Sequence, residues 1–252
     1  MDPAARPTPI EPTYHEKVWG RPREGLRLGE IWFRAQPLLL KFIFTSEKLS
    51  VQVHPRDGYA LRHENSTGKT ECWYVIAAEP GARLAVGLRR PMTRHQILAS
   101  VEAQTIEQEL NWLEMQAGDF VFVPAGTVHA IGPGLTLCEV QQFSDVTYRL
   151  YDYGRPRELH LEKALDVIQH HPAAGRIQPL RVAAAPDGVA HDYLVGCRYF
   201  ALERYSAAAE YRGAMSPSRC EVLAFLEGEG EIVTGGEHRP YSAEQMWLLP
   251  QT

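Results

Sequence analysis

Short apolar segments, separated by Gly and Pro, recur along most of this chain and constrain its fold more than any other feature. LLLKFIF at 38–44 is an apolar run, LSVQV at 49–53 alternates, and ECWYVIA at 71–77 is rich in aromatic and β-branched residues. Segments of this kind are typical of β-strands. Many short strands with Gly and Pro between them predict a mainly β fold, built as a sandwich or a barrel.

Two helical insertions interrupt this pattern. The stretch 93–110 places Ile97 and Val101 at helical spacing, and Thr93 is a candidate N-cap. The stretch 159–171 repeats Leu and Ile at the same spacing and predicts a second, shorter helix.

Composition divides the chain into four parts. Residues 1–16 are rich in proline at their start and predict an extended N-terminal lead. Residues 17–171 carry the larger β-unit with both helices. Residues 172–190 are rich in Pro, Ala and Gly, as a linker is. Residues 191–252 predict a second, smaller β-unit with Gly turns between its strands.

The charge balance argues against some classes of partner. The formal net charge of the 252 residues is -5, which gives no electrostatic footprint for nucleic acid or for an anionic membrane. A small anionic substrate is still allowed, because a few local cations are enough to hold one phosphate.

Cysteine spacing and the N-terminal sequence indicate a cytoplasmic protein with reduced thiols. The four cysteines form no CxxC pair, which disfavours a thiolate zinc site; they are Cys72, Cys138, Cys197 and Cys220. The N-terminus lacks the basic start and apolar core of a signal peptide. No apolar run approaches the roughly 20 residues that a membrane span requires.

SVQVHP at 50–55 is the first segment with candidate functional residues. Gln52 and His54 are two residues apart, so in a strand both side chains leave the same face, while Val51 and Val53 take the other. The pattern fits a strand that serves a polar interior. It equally fits a strand with an exposed polar face.

GKTECWY at 68–74 is the second segment with candidate functional residues. Lys69 and Glu71 share one face of a strand in the same way. A carboxylate beside a cation is a candidate site, but a surface ion pair has the same sequence pattern.

GDFVFVPAGTVHAIG at 118–132 is the third segment with candidate functional residues. Its Gly118, Pro124, Gly126 and His129 match the spacing of the second sequence motif of the cupin superfamily. Pro124 and Gly126 predict the turn between two strands, after which His129 points into a barrel. The alternative is a hairpin with a histidine at its rim.

Together these segments offer two imidazole nitrogens and two side-chain oxygens, from Gln52, His54, Glu71 and His129. Mixed nitrogen and oxygen ligands without thiolate suit Zn²⁺ and neighbouring divalent ions, and they are typical of catalytic rather than structural sites.

The segments 38–55, 68–76, 118–132 and 138–155, in this order, resemble the type I mannose-6-phosphate isomerases, in particular their shorter bacterial forms. KVWGRP and LGEIWF at 17–33 resemble the N-terminal signature of that family. The resemblance implies a pair of cupin-type jelly-roll barrels, the second smaller and degenerate, with residues 17–171 as the catalytic domain. It implies interconversion of mannose 6-phosphate and fructose 6-phosphate through an enediol, with one divalent metal ion, most simply Zn²⁺.

The resemblance also assigns roles to individual residues. The family's metal ligands fall on Gln52, His54, Glu71 and His129. Its active-site lysine falls on Lys69, its active-site glutamate on Glu139, and its catalytic arginine on Arg149, four residues beyond Asp145. We expect Lys69 or Arg149 to stabilise the enediolate or hold the phosphate, and Glu139 or Asp145 to accept the proton.

Some positions depart from the family pattern. Arg21 follows Trp19-Gly20 where relatives have a second glycine, and Val146 follows Asp145 where relatives have asparagine. The second half of the chain carries no HxH motif, so a second metal site is not expected.

Several alternatives stay open on sequence alone. Arg149 is alternatively a rim arginine paired with Asp145 or Asp152, and Glu139 a core carboxylate neutralised by Lys69. For the whole protein the alternatives are a cupin isomerase of another sugar phosphate, a non-catalytic sugar-phosphate-binding cupin, and an iron-dependent oxygenase. The last is disfavoured because such enzymes present three histidines or two histidines and a carboxylate, without a Gln ligand.

Overall fold

Two antiparallel sheets that face each other form the larger part of the structure, a computed structural model that describes residues 6–171, 175–182, 188–214, 216 and 218–249. The first sheet has seven strands, in spatial order β13 (Arg176–Ile177), β9 (Phe120–Val123), β6 (Glu71–Ala78), β11 (Leu135–Gln142), β4 (Leu38–Phe44), β3 (Leu26–Ala35) and β2 (Pro12–Arg23). The second has five, in spatial order β12 (Tyr148–Tyr151), β5 (Val51–Val53), β10 (His129–Ile131), β7 (Arg83–Leu88) and β8 (Leu110–Glu114).

Apolar side chains of both sheets meet in the space between them. Trp73 and Val121 of the first sheet belong to the same buried cluster as Leu84, Val86 and Ile131 of the second. Successive side chains of a strand point to opposite faces, so each sheet has a second face to cover.

Helices cover the outer face of the five-stranded sheet. They are α1 (Asp57–Glu64), α2 (Arg94–Glu102) and α3 (Leu161–Val167), with a 3₁₀ helix at Ile106–Glu109. Ile97 of α2 and Leu165 of α3 share a buried cluster with Val51 and Val53 of β5. The two valines therefore occupy the helix-facing side of β5, as the alternation in SVQVHP predicts, and Gln52 faces inward.

The two predicted helices are present but shorter than their sequence patterns. Thr93 is the N-cap of α2, and its hydroxyl accepts from the backbone N–H of Gln96 while the Gln96 side chain accepts from the N–H of Thr93. This capping box fixes the start of the helix. The helix ends at Glu102, and Gln104 with φ 57° breaks the stretch before the 3₁₀ helix.

Smaller sheets cover the outer face of the seven-stranded sheet. One contains β1 (Thr8–Pro9), β20 (Gln245–Leu249) and β17 (Glu221–Phe225), and another contains β14 (Leu180–Arg181), β15 (Val189–Gly196) and β16 (Ala201–Ala207). A hairpin follows, formed by β18 (Glu229–Thr234) and β19 (Glu237–Ser242). Phe42 and Phe120 of the large sheet share a buried cluster with Leu194, Phe200 and Met246.

The division into a lead, a catalytic domain, a linker and a second unit stays a prediction. The predicted lead is extended where it is described, and its Thr8–Pro9 strand pairs with β20 near the other end of the chain. In the predicted linker, β13 pairs with β9 of the large sheet and β14 with β15. Residues 1–5, 172–174, 183–187, 215, 217 and 250–252 of these four parts lie outside the described residues.

All four cysteines are free, and Cys72 and Cys138 are buried. No helix in the described ranges combines the length and apolar character needed to traverse a bilayer. The cytoplasmic location stays a prediction.

Candidate metal centre and active-site cavity

Three of the four predicted metal ligands converge between the two sheets. His54 follows β5, Glu71 begins β6 and His129 begins β10, and one ligand atom from each lies within 4.8 Å of those of the other two. Nε2 of His54 and Nε2 of His129 are each 3.4 Å from an oxygen of Glu71. All three residues are at most 1% exposed, so the alternatives of an exposed polar face and of a histidine at a hairpin rim are wrong.

A tight turn sets the position of His129. Thr127 N–H donates to the carbonyl of Pro124, and Gly126 has φ 91°, a conformation that strongly favours glycine. A side chain at Gly126 would also approach the Val167 carbonyl to 3.0 Å. The N–H of Gly126 donates to the His54 carbonyl over 2.8 Å, which ties the turn to the other histidine.

Gln52 is the fourth predicted ligand. It lies directly opposite His129 in the register of β5 and β10, and its side chain is half-buried. Its Oε1 is 3.5 Å from the Ser50 hydroxyl, and Gln52 lines the cavity that also contains Lys69.

Backbone carbonyls fix the tautomer of both histidines. Nδ1 of His54 is 2.9 Å from the Val146 carbonyl, and Nδ1 of His129 is 2.9 Å from the Thr127 carbonyl. Because a carbonyl only accepts, Nδ1 carries the proton in each ring, and the lone pair is on Nε2. This arrangement is typical of histidines that bind metal through Nε2.

Burial and the neighbouring charges favour the protonation states that bind a cation. Burial, reinforced by the Lys69 ammonium, lowers the pKa of His54 to about 3, and burial also lowers the pKa of His129. Although burial alone would raise the pKa of Glu71, Lys69 and the two imidazoles hold it well below its usual range. Two neutral imidazoles thus face an ionised carboxylate, which is the state that divalent metal binding requires.

Two polar atoms of the cluster are buried without a partner. Oε1 of Glu71 and Nε2 of His129 accept no hydrogen bond from any of the described residues. Leaving such atoms unpaired costs about 1–3 kcal/mol each, and a cation between them would remove that cost. The donor set therefore fits a divalent metal ion.

Lys69 contacts two residues of the cluster, Glu71 and His54. Its ammonium donates to Oε2 of Glu71 over 2.6 Å and lies 3.0 Å from Nε2 of His54. Both Lys69 and Glu71 are buried, so the alternative of a surface ion pair is wrong. A cation bound through Nε2 of His54 requires the ammonium to give up that contact, while its bond to Glu71 can stay.

A cavity of about 260 Å³ adjoins the cluster. Its lining includes five of the predicted site residues, namely Gln52, Lys69, Glu139, Asp145 and Arg149. Polar atoms dominate this lining, as a cavity for a hydroxylated, anionic molecule requires.

Glu139 forms an ion pair with a residue that the sequence patterns did not single out. Its Oε2 is 3.3 Å from the ammonium of Lys41, and its Oε1 accepts from Nε1 of Trp73 over 2.9 Å. Lys69 contacts Glu71 and His54, but its charge also acts to lower the pKa of Glu139, so the alternative that Lys69 neutralises Glu139 stays a prediction. Burial raises the pKa of Glu139 despite the nearby ammonium groups.

Arg149 lines the cavity from β12 of the five-stranded sheet, whereas Lys41 lines it from β4 of the seven-stranded sheet. Its Nη1 donates to the Glu158 carbonyl over 3.3 Å. The predicted alternative partner Asp152 instead accepts from Arg155 and Arg157. Among the described residues Arg149 forms no ion pair with a carboxylate, and burial together with Arg157 lowers its pKa.

Sequence reasoning missed several residues of the lining, among them Lys17, Glu30, Lys41, Arg157 and His160. A signal was present for Lys41, since it interrupts the apolar run LLLKFIF. A lysine in a fully buried strand is rare unless it is paired. Arg157 lies in an irregular segment, and His160 is a polar position in the stretch 159–171 that directly precedes α3, so no pattern singled them out.

No protein-family model matches this chain. A mannose-6-phosphate isomerase of Bacillus subtilis, however, is 34% identical to it over 90% of this chain and 76% of that protein. The chain belongs to the mannose-6-phosphate isomerase family. A family member from Streptococcus mutans is 35% identical over 86% of this chain and 69% of its own length.

Solved structures of this family share the fold. The crystal structure of the mannose 6-phosphate isomerase from Bacillus subtilis superposes with a TM-score of 0.89 at 26% identity, covering 97% of this chain and 93% of that one. A zinc-bound mannose 6-phosphate isomerase superposes with a TM-score of 0.72 at 13% identity, covering 96% and 94%. The predicted mainly β, cupin-type fold with a few helices is confirmed.

Proposed function

We propose that this chain interconverts mannose 6-phosphate and fructose 6-phosphate through an enediol, using one Zn²⁺ ion bound by Gln52, His54, Glu71 and His129. The observation that carries the proposal is the buried His54–Glu71–His129 cluster beside a polar cavity. Relatives that match most of the chain are named mannose-6-phosphate isomerase, which supports the reaction. A zinc-bound neighbour of the same fold supports the choice of metal.

The reaction moves one proton between adjacent carbons. In mannose 6-phosphate a proton leaves C2 and O1 gains one, which gives the enediol; return of a proton to C1 and loss of one from O2 give fructose 6-phosphate. When bound, a divalent cation polarises the oxygens on C1 and C2 and so lowers the barrier to proton removal.

Glu139 is the residue we assign as proton acceptor. It lines the cavity, and burial raises its pKa toward neutrality, where a carboxylate is a better base. Lys41 and Trp73 each hold one of its oxygens and so orient the carboxylate. Asp145 also lines the cavity, but it is exposed, and we assign it a contact with the sugar hydroxyls.

Lys69 is the residue we assign to stabilise the enediolate. Its ammonium is buried, so the low local dielectric strengthens its attraction for negative charge that builds on oxygen. Its bond to Glu71 holds the ammonium beside the metal ligands.

The phosphate is assigned to the part of the lining that contains Arg149, Arg157 and His160. Arg149 lacks a carboxylate partner among the described ion pairs, and Asp152 is shared by Arg155 and Arg157. Arg155 and Arg157 hold Asp152, while Arg149 keeps its guanidinium available for an anion. A planar guanidinium also matches the oxygens of a phosphate in a bidentate manner.

Conversion of fructose 6-phosphate to mannose 6-phosphate by the purified protein tests the proposal. Activity that a chelator removes and that Zn²⁺ restores is expected, and Mn²⁺, Co²⁺ and Fe²⁺ compared under the same conditions identify the metal that works best. Binding of fructose 6-phosphate without turnover by metal-loaded protein would overturn the proposal in favour of a sugar-phosphate-binding cupin. If the protein turns over another sugar phosphate but not fructose 6-phosphate, the substrate assignment is wrong. If it consumes dioxygen, the reaction type is wrong.

A further inference from the structure

Asp57 joins three separate segments next to the metal centre. It begins α1, three residues after His54, and its Oδ1 accepts from the N–H of Gly68 and from Nε2 of Gln142, each over 2.9 Å. Its Oδ2 accepts from the hydroxyl of Tyr199 over 2.7 Å. Both oxygens of one side chain are thus committed to holding other parts of the chain.

The start of α1 and the loop before it pack against the backbone that carries Lys69. Gly68 lies so close to Asp57 that a Cβ on it would be 2.6 Å from the Asp57 nitrogen. The next residue, Lys69, donates its N–H to the Pro55 carbonyl over 3.0 Å. The loop that follows His54 is therefore packed directly against the segment that leads to Glu71.

Gln142 fixes the same segment from its other side. Its Oε1 accepts from the N–H of Thr70 over 2.9 Å, and its own N–H donates to the Thr70 carbonyl. Because Asp57 accepts from Nε2 of this amide, it also sets which way the amide group of Gln142 points. The positions of Lys69 and Glu71, on either side of Thr70, depend on this contact.

Tyr199 brings the C-terminal part of the chain into the network. It lies in the turn between β15 and β16, where Cys197 N–H donates to the Phe200 carbonyl. Phe200 is buried in the cluster that covers the outer face of the seven-stranded sheet. We call β15, β16 and the turn between them the C-terminal hairpin. The Tyr199 hydroxyl is the point at which this hairpin contacts Asp57, next to the metal centre.

We propose that Asp57 is a positioning residue, which holds Lys69 and Glu71 in place for the isomerisation, and that Tyr199 couples the C-terminal hairpin to this function. The proposal rests on the proposed isomerase activity. Asp57 does not line the cavity, so it acts through Gly68 and Gln142 and not on the substrate.

Four variants test the proposal. Asp57→Ala removes all three hydrogen bonds, Asp57→Asn keeps an acceptor oxygen for Gly68 and Gln142, and Tyr199→Phe removes only the bond to the hairpin. Tyr74→Phe is the matched control, since the Tyr74 hydroxyl accepts from Nη1 of Arg204 over 3.0 Å and so also joins the hairpin to the large sheet. That contact lies away from the segment that carries Lys69.

The expected result is a loss in kcat with KM changed by less than about twofold. Asp57→Ala should lower kcat by about tenfold to a hundredfold, because small displacements of catalytic groups have effects of this size. Asp57→Asn should recover most of the activity, and Tyr199→Phe should lower kcat more than Tyr74→Phe does at an equal change in Tm. If Tyr199→Phe and Tyr74→Phe differ in neither kcat nor metal affinity, the coupling through Tyr199 is wrong.

Zn²⁺ affinity, measured by competition with a chromogenic chelator, separates this proposal from the proposed function. Removing a group that orients metal ligands weakens metal binding by about 10–100-fold, and we expect this range for Asp57→Ala. If the unmodified protein does not turn over sugar phosphates, the proposed function fails while the affinity measurement still tests the positioning. Unchanged Zn²⁺ affinity in a folded Asp57→Ala protein, or in Asp57→Ser if the alanine variant does not fold, would overturn it.

Discussion

Lys41 and Glu139 lie directly opposite each other on β4 and β11, and the ammonium of Lys41 is 3.3 Å from Oε2 of Glu139. Each side chain is 4% exposed. Although burial alone would lower the pKa of Lys41, the carboxylates of Glu139 and Glu30 raise it, so the ammonium stays charged. The interior beside the cavity therefore contains a buried ion pair, in which each side chain stabilises the charged form of the other.

Replacing Lys41 with Met should destabilise the protein strongly. The change leaves the Glu139 carboxylate buried without its cation, and breaking a buried ion pair from one side typically costs about 3–5 kcal/mol in the free energy of unfolding. Urea unfolding measures this loss. The double variant Lys41→Met, Glu139→Gln removes the unpaired charge and should recover part of the stability but none of the activity. A double variant as unstable as Lys41→Met alone would contradict the pairing.

Replacing His129 with Ala should abolish the effect of Zn²⁺ on thermal stability. A ligand that binds only the folded state raises Tm, by an amount that grows with its concentration relative to Kd. We expect Zn²⁺ to raise the Tm of the unmodified protein and to leave that of His129→Ala unchanged. His170→Ala is the control, because His170 contacts the Met92 carbonyl away from the cluster. An equal Zn²⁺-induced shift in His129→Ala would show that the metal binds elsewhere.

Replacing Arg149 with Ala should lower kcat/KM for fructose 6-phosphate by about tenfold to a hundredfold, since a hydrogen bond to a charged group contributes about 1.5–3 kcal/mol. Arg89→Ala is a matched control. Nη1 of Arg89 also donates to one backbone carbonyl over 3.3 Å, but Arg89 lies outside the cavity lining. Steady-state kinetics of both variants, with equal Zn²⁺ content, provide the comparison. If both lose activity equally, Arg149 has no special part in binding the phosphate.

The strand pattern and the three motifs predicted the mainly β fold and the closeness of His54, Glu71 and His129, and they did so for a local reason. Strand alternation alone places Gln52 on the face opposite Val51 and Val53, and a turn that needs glycine at Gly126 fixes where His129 begins its strand. Such features depend on neighbours within a few residues. The structure therefore places His54, Glu71 and His129 together as the sequence indicates.

The rest of the cavity depends on contacts between distant residues. Lys41 and Glu139 are paired only because β4 and β11 are neighbours in the sheet, and strand order is not a local property. The helix α1 was not predicted, because its one buried residue is Ala60 and it has no apolar stripe. Likewise, strands at Arg176–Ile177 and Leu180–Arg181 form in the predicted linker because sheet edges offer them partners.

Acid should destabilise the unmodified protein relative to Asp57→Asn. Although burial alone would raise the pKa of Asp57, hydrogen bonds from Tyr199, Gln142 and Gly68 lower it below its ordinary value. A carboxylate whose pKa is lower in the folded state contributes stability above its unfolded pKa, about 3.9, and this contribution is lost as the pH falls through the folded pKa.

Urea unfolding of the two proteins between pH 7 and pH 2, with a chelator present so that metal release does not contribute, measures this difference. The stability advantage of the unmodified protein over Asp57→Asn should be constant from neutral pH down to about pH 5 and should shrink below about pH 4. The asparagine cannot titrate, so the acid dependence of this variant reports all the other titrating groups, His54 included. An advantage that persists unchanged to pH 2 would mean that the Asp57 carboxylate is not stabilised in its ionised form by Tyr199, Gln142 and Gly68.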